Sequence, residues 1–218
     1  MSYKIIIADD HPLFRAALKQ AVGQAVDNVE VIEADTIAAL QHSVENCPEA
    51  DLVLLDLNMP GAHGFSGLVF MRGQYPGLPV VMVSGTEEIQ VIRKAIDYGA
   101  SGFIPKSASL QLIAEAIQAV LNGDVWLPEG VQSKIDRAAP EVSDLSEKLA
   151  TLTPQQFRVL GMLMEGLLNK QIAYELNVSE ATIKAHITAV FRKLGVRNRT
   201  QAVIAVQQFE VERPSIPE

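Results

Sequence analysis

Five short apolar segments alternate with helical patterns over the first half of the chain, and this alternation constrains the fold more than any other feature. The apolar segments predict strands at residues 4–9, 29–34, 51–56, 79–84 and 101–104. The intervening segments predict helices at 12–26, 36–46, 64–75, 87–98 and 108–121. Continuous apolar runs of this length are typical of parallel strands buried on both faces. The pattern predicts an α/β doubly wound five-stranded parallel sheet with right-handed crossovers.

Acidic side chains stand at the ends of two of these strands. Asp9 and Asp10 close the first strand, and Asp56 closes the third. Ligands bind outside the carboxyl ends of the strands in an open α/β sheet, so we expect the three carboxylates in one crevice. Like charges this close repel unless a cation neutralises them, and a cluster of oxygen ligands suits Mg²⁺. The sequence therefore predicts phosphoryl chemistry on a carboxylate.

Two further polar residues follow later strands at the same predicted edge. Ser84 ends the fourth strand, and Lys106 follows the fifth. A hydroxyl and an ammonium there would hold the remaining oxygens of a phosphoryl group. Taken with the three acids, this ordered set resembles the receiver domain of bacterial two-component response regulators.

The receiver resemblance implies a flavodoxin-like strand order, 2-1-3-4-5, and a role for each residue of the set. Asp56 becomes the phosphoacceptor, with Lys106 and Ser84 contacting the acyl phosphate. Mg²⁺ is the implied cofactor, bound by Asp10 directly, by Asp9 chiefly through water, by Asp56, and by the backbone carbonyl of Asn58. Ser84 and Phe103 form the implied switch, although Phe103 lacks the hydroxyl often found at its position.

The composition changes after the predicted α/β segment. Residues 123–150 are rich in Ser, Asp, Glu and Lys and include Pro140, so they are predicted to be a linker. Trp126 either docks this linker against a domain or is an incidental surface residue. We therefore predict a receiver domain at 1–122, the linker, a helical domain at 151–211, and a tail at 212–218.

The helical domain begins with a strong capping signal. Thr153, Pro154 and Gln156 make a capping box that starts a helix over 154–165. A second helix over 169–176 is predicted to end at Asn177, which tolerates the left-handed conformation. Ser179 caps a third helix over 180–194, and a fourth runs from about 199 towards 209. Two short helices joined by a tight turn make a helix-turn-helix, whose second helix enters the major groove.

The third helix carries an apolar stripe that must face the core and an opposite face of small and polar residues. Small residues at the centre of the exposed face allow close approach to base edges, and flanking cations can reach phosphates. The base-reading candidates are Thr182, Ala185, Thr188, Ala189 and Arg192. Candidate phosphate contacts are Lys170, Lys184, Lys193, Asn198 and Arg199, with Ser179 at the start of the helix.

The segment from Leu152 to Val203 closely resembles the LuxR-type helix-turn-helix. The resemblance rests on residues 169–173, which read Asn-Lys-Gln-Ile-Ala, and on residues 179–186, which read Ser-Glu-Ala-Thr-Ile-Lys-Ala-His. With a receiver in front, the chain resembles the NarL/FixJ family of response regulators. The resemblance implies that the fourth helix pairs two copies on DNA.

Charge and cysteine content bound the setting of the protein. Residues 1–122 hold seven Lys and Arg against fourteen Asp and Glu, whereas residues 151–218 hold eight against six. An acidic front and a basic back suggest different partners for the two ends. Cys47 is the single cysteine, which excludes intramolecular disulfides, and the start of the chain lacks the pattern of a signal peptide. We expect a cytoplasmic protein with no membrane contact.

These features predict a transcription factor rather than an enzyme, apart from self-phosphorylation from a phosphodonor and slow autodephosphorylation. The expected partners are a sensor histidine kinase, double-stranded promoter DNA and a second copy of the chain, with RNA polymerase as a further candidate. One alternative is a DNA-binding regulator whose receiver works without phosphate. Another is a phosphatase with an Asp nucleophile, which residues 57–60, Leu-Asn-Met-Pro, disfavour because they lack a second acid.

Two departures from common family patterns affect individual residues. His63 stands where an acid is common in the loop after Asp56, and a solvated loop histidine is expected there. Leu168 stands where a polar residue often precedes the Asn-Lys pair, which removes one expected backbone contact to DNA.

Overall fold

The first half of the chain is a five-stranded parallel sheet with helices on both faces. The computed structural model describes residues 2–135 and 144–210. The strands are β1 (Tyr3–Ala8), β2 (Val29–Ala34), β3 (Leu52–Asp56), β4 (Val80–Ser84) and β5 (Gly102–Pro105). Their order is β2-β1-β3-β4-β5, and all the pairs are parallel. The predicted fold class and strand order are confirmed.

Five helices cover the sheet because each presents apolar residues at helical spacing. They are α1 (Pro12–Ala25), α2 (Ile37–Asn46), α3 (Ser66–Gln74), α4 (Ile89–Asp97) and α5 (Leu110–Leu121). Strands β3 and β4 are buried along their whole length, as their unbroken apolar runs require. Helices α1 and α5 pack together on one face of the sheet, and α2 packs against β1 and β2. The core thereby fixes the carboxyl ends of β1 and β3 side by side.

The predicted linker, residues 123–150, is ordered and packed against the rest of the protein in the part that is described. Trp126 pairs with β5: its backbone N–H donates to Ser101 O at 3.2 Å, and its carbonyl accepts from Phe103 N at 3.1 Å. Two short helices follow, α6 (Gln132–Ile135) and α7 (Asp144–Ala150). Val131, Ile135 and Leu149 are buried, so a few apolar side chains suffice to dock a segment that is polar on average. Pro140 lies outside the described residues.

The second half is a four-helix unit with the predicted local signals. Its helices are α8 (Pro154–Met164), α9 (Asn169–Glu175), α10 (Glu180–Leu194) and α11 (Arg199–Gln207). The capping box at Thr153 and the Ser179 cap are both formed. Asn177 takes the left-handed conformation, with φ 51°, and Gly195 ends α10 in the same region. The helix-turn-helix prediction is confirmed as α9, the turn and α10, and the predicted tail at 212–218 lies outside the described residues.

The two halves share one hydrophobic core. Phe70 of α3 stacks on Phe157 of α8 with ring centroids 4.3 Å apart, and both side chains are buried. Helix α7 packs along α3, where Gln74 Nε2 donates to Ala150 O at 3.0 Å. Phe209, just after α11, is buried against Tyr98 at 5.7 Å between ring centroids. The receiver half and the output half, α8 to α11, are therefore docked.

Among residues 2–135 and 144–210, none of the helices is both long enough and apolar enough to cross a membrane.

Candidate functional sites

The sheet brings the predicted acids together at one edge. Asp9 directly follows β1, and Asp56 is the last residue of β3. Strands β1 and β3 are neighbours, with Ala8 opposite Leu55, so the two acids leave adjacent strands at the same level. Asp9 is fully buried and Asp56 is 2% exposed, whereas Asp10 is half-buried. The backbone register alone thus creates the acidic crevice.

Lys106 bridges the two buried carboxylates. Its ammonium lies 2.7 Å from Asp9 Oδ2 and 3.0 Å from Asp56 Oδ2. The same ammonium sits 4.9 Å from the ring centroid of Phe14, which lines the pocket. Lys106 N also donates to Ser84 O at 2.7 Å, which ties the loop after β5 to the end of β4. Lys106 therefore occupies the place that the strand pattern predicts for it.

His11 belongs to this cluster, although the sequence analysis did not identify it as a site residue. Its Nδ1 lies 2.6 Å from Asp10 Oδ1 and 3.2 Å from Asp9 Oδ1. Possible ligand atoms of Asp9, Asp10, His11 and Asp56 all lie within 4.8 Å of one another. The position of His11 directly after Asp9 and Asp10 could have predicted this role. The residue stands at the N-cap of α1, and this keeps its ring beside the acids.

The charge balance of the crevice suits a divalent cation. Three carboxylates face one lysine ammonium, and Asp56 Oδ1 is buried without a hydrogen-bond partner among the described residues. Burial raises the pKa of Asp56 above its ordinary value of 3.8, the positive charge of Lys106 opposes this rise, and the negative charge of Asp9 adds to it. Ionising Asp56 is therefore unfavourable until more positive charge arrives. The residues present fit a hard cation such as Mg²⁺, and Asn58 is one of the residues that line the pocket.

The two predicted switch residues are buried near the pocket. Ser84 ends β4 and is 1% exposed, and its hydroxyl accepts from Thr86 N at 3.2 Å. Phe103 lies in β5 with no exposed surface, inside the core that also contains α4. Their places are those that the receiver pattern implies, and their movement stays a prediction.

The predicted base-reading face of α10 forms an open groove. The groove is lined by Lys184, Ala185, Thr188, Ala189 and Arg192, of which only Ala189 is half-buried, and the other four are exposed. Thr182 is also exposed, near the capping residue Ser179, and Lys170 is exposed on α9. The opposite stripe, with Ile183, Val190 and Leu194, is buried. Helix α10 therefore presents the small and cationic face to solvent, as its wheel predicts.

Three of the predicted DNA contacts are held by internal hydrogen bonds. Lys193 Nζ donates to Thr151 O at 2.7 Å and to Gln156 Oε1 at 2.8 Å. Arg199 donates to two carbonyls around the end of α8, at 2.8 and 2.6 Å. Asn198 caps α11 through Gln201 N. Because these polar atoms stabilise the helical domain itself, this geometry favours structural roles for the three residues over phosphate contact.

Two family descriptions match the two halves of the chain. Residues 5–118 match the response regulator receiver domain, and residues 150–206 match the bacterial regulatory proteins of the luxR family. The first match begins inside β1 and ends inside α5, and the second covers α8 to α11 except for the last residue of α11. The two matches do not overlap, and residues 119–149 lie between them.

Relatives and solved structures match along nearly the whole chain. The glycerol metabolism activator of Pseudomonas putida is 44% identical over 220 residues, covering 95% of this chain and 96% of that protein. The nitrate/nitrite response regulator NarP of Escherichia coli strain K12 is 33% identical, covering 94% and 95%. The RcsB response regulator of Salmonella typhimurium superposes with a TM-score of 0.55 at 25% identity, covering 95% and 97%. A structure of two RcsB dimers bound to two parallel DNAs superposes with a TM-score of 0.54 at 25% identity, covering 96% of this chain and 98% of that chain. This chain belongs to the NarL-type response regulators, which join a receiver domain to a LuxR-family helix-turn-helix domain.

Proposed function

We propose that this protein is a transcription factor whose promoter binding and dimerisation are controlled by phosphorylation of Asp56. The observation that carries the proposal is the buried Asp56 carboxylate, paired with Lys106 and open to a solvent pocket of about 490 Å³. A sensor histidine kinase is the proposed phosphodonor, and promoter DNA is the proposed ligand of α10. Contact with these two partners requires a protein in the cytoplasm, which is the location that we propose. NarP and RcsB, which are named as response regulators, support this reading.

The proposed chemistry is a single phosphoryl transfer. An oxygen of the Asp56 carboxylate forms a bond to phosphorus while the phosphorus–nitrogen bond of a phosphohistidine breaks, and the leaving imidazole keeps that electron pair. Lys106 loses part of its contact with Asp56 and gains the phosphoryl oxygens, because it already lies 3.0 Å from the attacked carboxylate. Ser84 stands one residue beyond the strand position that pairs with Asp56, from where its hydroxyl reaches the new oxygens.

Mg²⁺ is the proposed cofactor, held by Asp9, Asp10, Asp56 and the backbone carbonyl of Asn58. When bound, it neutralises the charge of the incoming phosphoryl group and of the carboxylates. The protein's own part is to hold the acids close together at the pocket. The expected end of the phosphorylated state is slow hydrolysis, in which water attacks phosphorus, the bond to Asp56 breaks and inorganic phosphate leaves. We therefore do not propose a multiple-turnover enzyme.

Replacing Asp56 with Asn should abolish phosphorylation. The amide keeps the size of the side chain and lacks the nucleophilic oxygen anion. The measurement is incorporation of phosphate from acetyl phosphate with Mg²⁺, read on a phosphate-affinity gel. The matched control is Asp35→Asn, an exposed acid at the carboxyl end of β2 that lies outside the cluster, and it should keep wild-type incorporation. Equal incorporation in Asp56→Asn would refute Asp56 as the phosphoacceptor.

Binding of Mg²⁺ should weaken as the pH falls through the raised pKa of Asp56. The metal needs the ionised carboxylate, and burial places the pKa of Asp56 above the ordinary 3.8. The folded, metal-free protein holds this proton more tightly than the unfolded chain, so its free energy of unfolding should fall as the pH rises through the same window. Calorimetric titration with Mg²⁺ at a series of pH values measures the first effect. Asp56→Asn should bind Mg²⁺ weakly and lack this pH step, and a flat profile in the wild type would contradict the assignment.

Lys184→Ala should weaken DNA binding and reduce its salt dependence. Lys184 is exposed at the groove of α10, and each lost phosphate contact lowers the slope of log affinity against log salt by about 1. Fluorescence anisotropy with a duplex of about two helical turns measures both quantities over a salt series. The control is Lys94→Ala, an exposed lysine on α4, which should leave the slope unchanged. An unchanged slope for Lys184→Ala would remove this residue from the proposed interface.

A further inference from the structure

We propose that the receiver restrains the output domain by fixing its orientation through the loop that follows Asp56, and that it leaves the DNA-facing groove of α10 accessible. In this proposal, phosphorylation controls the pairing of two output domains on DNA rather than the access of DNA to α10. The inference deepens the proposed function and rests on it. The loop, residues 57–65 between β3 and α3, is called the docking loop below.

The docking loop touches the output half through its backbone. A Cβ atom built on Gly161 of α8 would lie 2.4 Å from Gly61 O. The backbones of α8 and of the loop are therefore in direct contact, with no room for a side chain between them. At the other end of the loop, Phe65 N donates to Phe209 O at 3.0 Å. A Cβ on Gly64 would lie 1.9 Å from that same carbonyl. The loop therefore contacts both α8, the first helix of the output domain, and Phe209, two residues after the end of α11.

Aromatic rings extend this contact into the core. The ring of Tyr98 lies 5.6 Å from that of Phe65 and 5.7 Å from that of Phe209, measured between centroids. Phe70 and Phe157 stack at the adjoining contact between α3 and α8. Rings packed at these distances lose most of their contact if one domain shifts by a few ångströms relative to the other, because packed interiors do not deform continuously. The docked orientation is therefore specific.

Unpaired polar atoms limit the stability of the docked state. Nε2 of His63 and Nε of Arg158 are buried without a hydrogen-bond partner in the part of the chain that the structure describes. His63 Nδ1 faces Glu210 Oε1 at 3.4 Å, so the loop histidine lies at the contact and is not a solvated residue as its sequence position suggests. A desolvated donor or acceptor without a partner costs free energy that is recovered when the contact opens to water. A modest change in the loop can therefore shift the equilibrium.

The docking loop begins at the residue after the phosphoacceptor. Leu57 and Met59 are both 2% exposed, and Leu57 N donates to Val83 O at 3.1 Å, so the start of the loop is fixed to the sheet. A phosphoryl group on Asp56 adds charge and volume next to this start. Such a local change in charge and packing can act on a two-state element that it adjoins. The loop is that element, because its other end holds the output domain.

Docking leaves the surfaces that would meet DNA and a second copy uncovered. Lys184, Ala185, Thr188 and Arg192 are exposed in the docked arrangement. On α11, the proposed pairing helix, Ile204 is 58% exposed, and Gln201 and Gln207 are also exposed. A receiver that acted by covering α10 would bury the first set. What docking fixes instead is the direction in which each output domain points, and two domains can engage paired half-sites only in one relative orientation.

A glycine substitution separates the two mechanisms. In Gly161→Ala, the new methyl group would meet Gly61 O at 2.4 Å and the Gly61 carbonyl carbon at 3.2 Å, both backbone atoms that cannot turn away. Alanine favours the helix interior, so α8 itself should stay folded. Gly73→Ala is an independent wedge, because its Cβ would lie 2.6 Å from Ala150 O. Gly23→Ala in α1 is the matched control, with nothing within 4 Å of the added atom.

The experiment compares the full-length variants without phosphate. Small-angle X-ray scattering measures whether the domains separate. DNA binding is then measured with two duplexes, one with a single half-site and one with two half-sites about one turn apart. Both are taken from a selection on random DNA by wild-type protein treated with Mg²⁺ and beryllofluoride, a phosphoryl mimic.

We expect both wedge variants to have a larger radius of gyration than the wild type and the Gly23→Ala control. Their affinity for the single half-site should equal that of the wild type. Their affinity for the paired half-sites should rise by roughly tenfold or more, because two linked binding modules bind two sites more tightly than either module binds one. Mimic-treated wild type should show the same gain.

Several results would overturn the inference. A rise in single half-site affinity in the wedge variants would mean that the receiver covers α10. Separated domains with unchanged affinity for both duplexes, or a wild type already as extended as the wedge variants, would mean that docking is not the restraint. If the mimic changes nothing in the wild type, the proposed function itself fails and the inference falls with it. A mimic effect without a wedge effect contradicts the inference alone.

Discussion

The receiver half is organised around two buried carboxylates that share one ammonium. Asp9 and Asp56 lie at the ends of adjacent strands, and Lys106 approaches both within 3.0 Å. Removing an ionised carboxylate from water is unfavourable unless it is paired, so the strand register, the β5 loop and the pocket wall must all be correct together. The remaining negative charge makes the crevice receptive to a cation and to a transferable phosphoryl group. The raised pKa of Asp56 follows from the same burial.

The segment that leaves this crevice is also the segment that holds the output domain. The docking loop begins at Leu57, directly after Asp56, and ends at Phe65, whose N–H donates to Phe209 O. The phosphoacceptor and the interdomain contact are therefore joined by nine residues of backbone. In our proposal this short connection carries the effect of the phosphoryl group directly to the output domain, without a long pathway through the sheet. Because α10 stays exposed, our account differs from one in which activation uncovers the reading helix.

Local patterns in the sequence were sufficient to predict the fold and most of the candidate site. Asp9 and Asp56 could be placed because parallel strands end at a common edge, and Asn177 could be placed because few residues adopt a positive φ. The pairing of Trp126 with β5 could not be predicted, since one backbone pairing does not change composition. The internal hydrogen bonds of Lys193 and Arg199 could not be predicted either. A cationic residue shows the same sequence pattern whether its side chain contacts DNA or a carbonyl oxygen 32 to 42 residues away. Long-range contacts decided each of these cases.

The most direct test of the account is hydrogen–deuterium exchange of the full-length protein with and without Mg²⁺ and beryllofluoride. We predict faster exchange in the docking loop, where Phe65 N–H is now bonded to Phe209, and in the residues around Phe209, with no change over α10. Asp56→Asn should show no response to the mimic. Unchanged exchange in the docking loop of the wild type, or a rise confined to α10, would contradict the claim that phosphorylation acts through this loop.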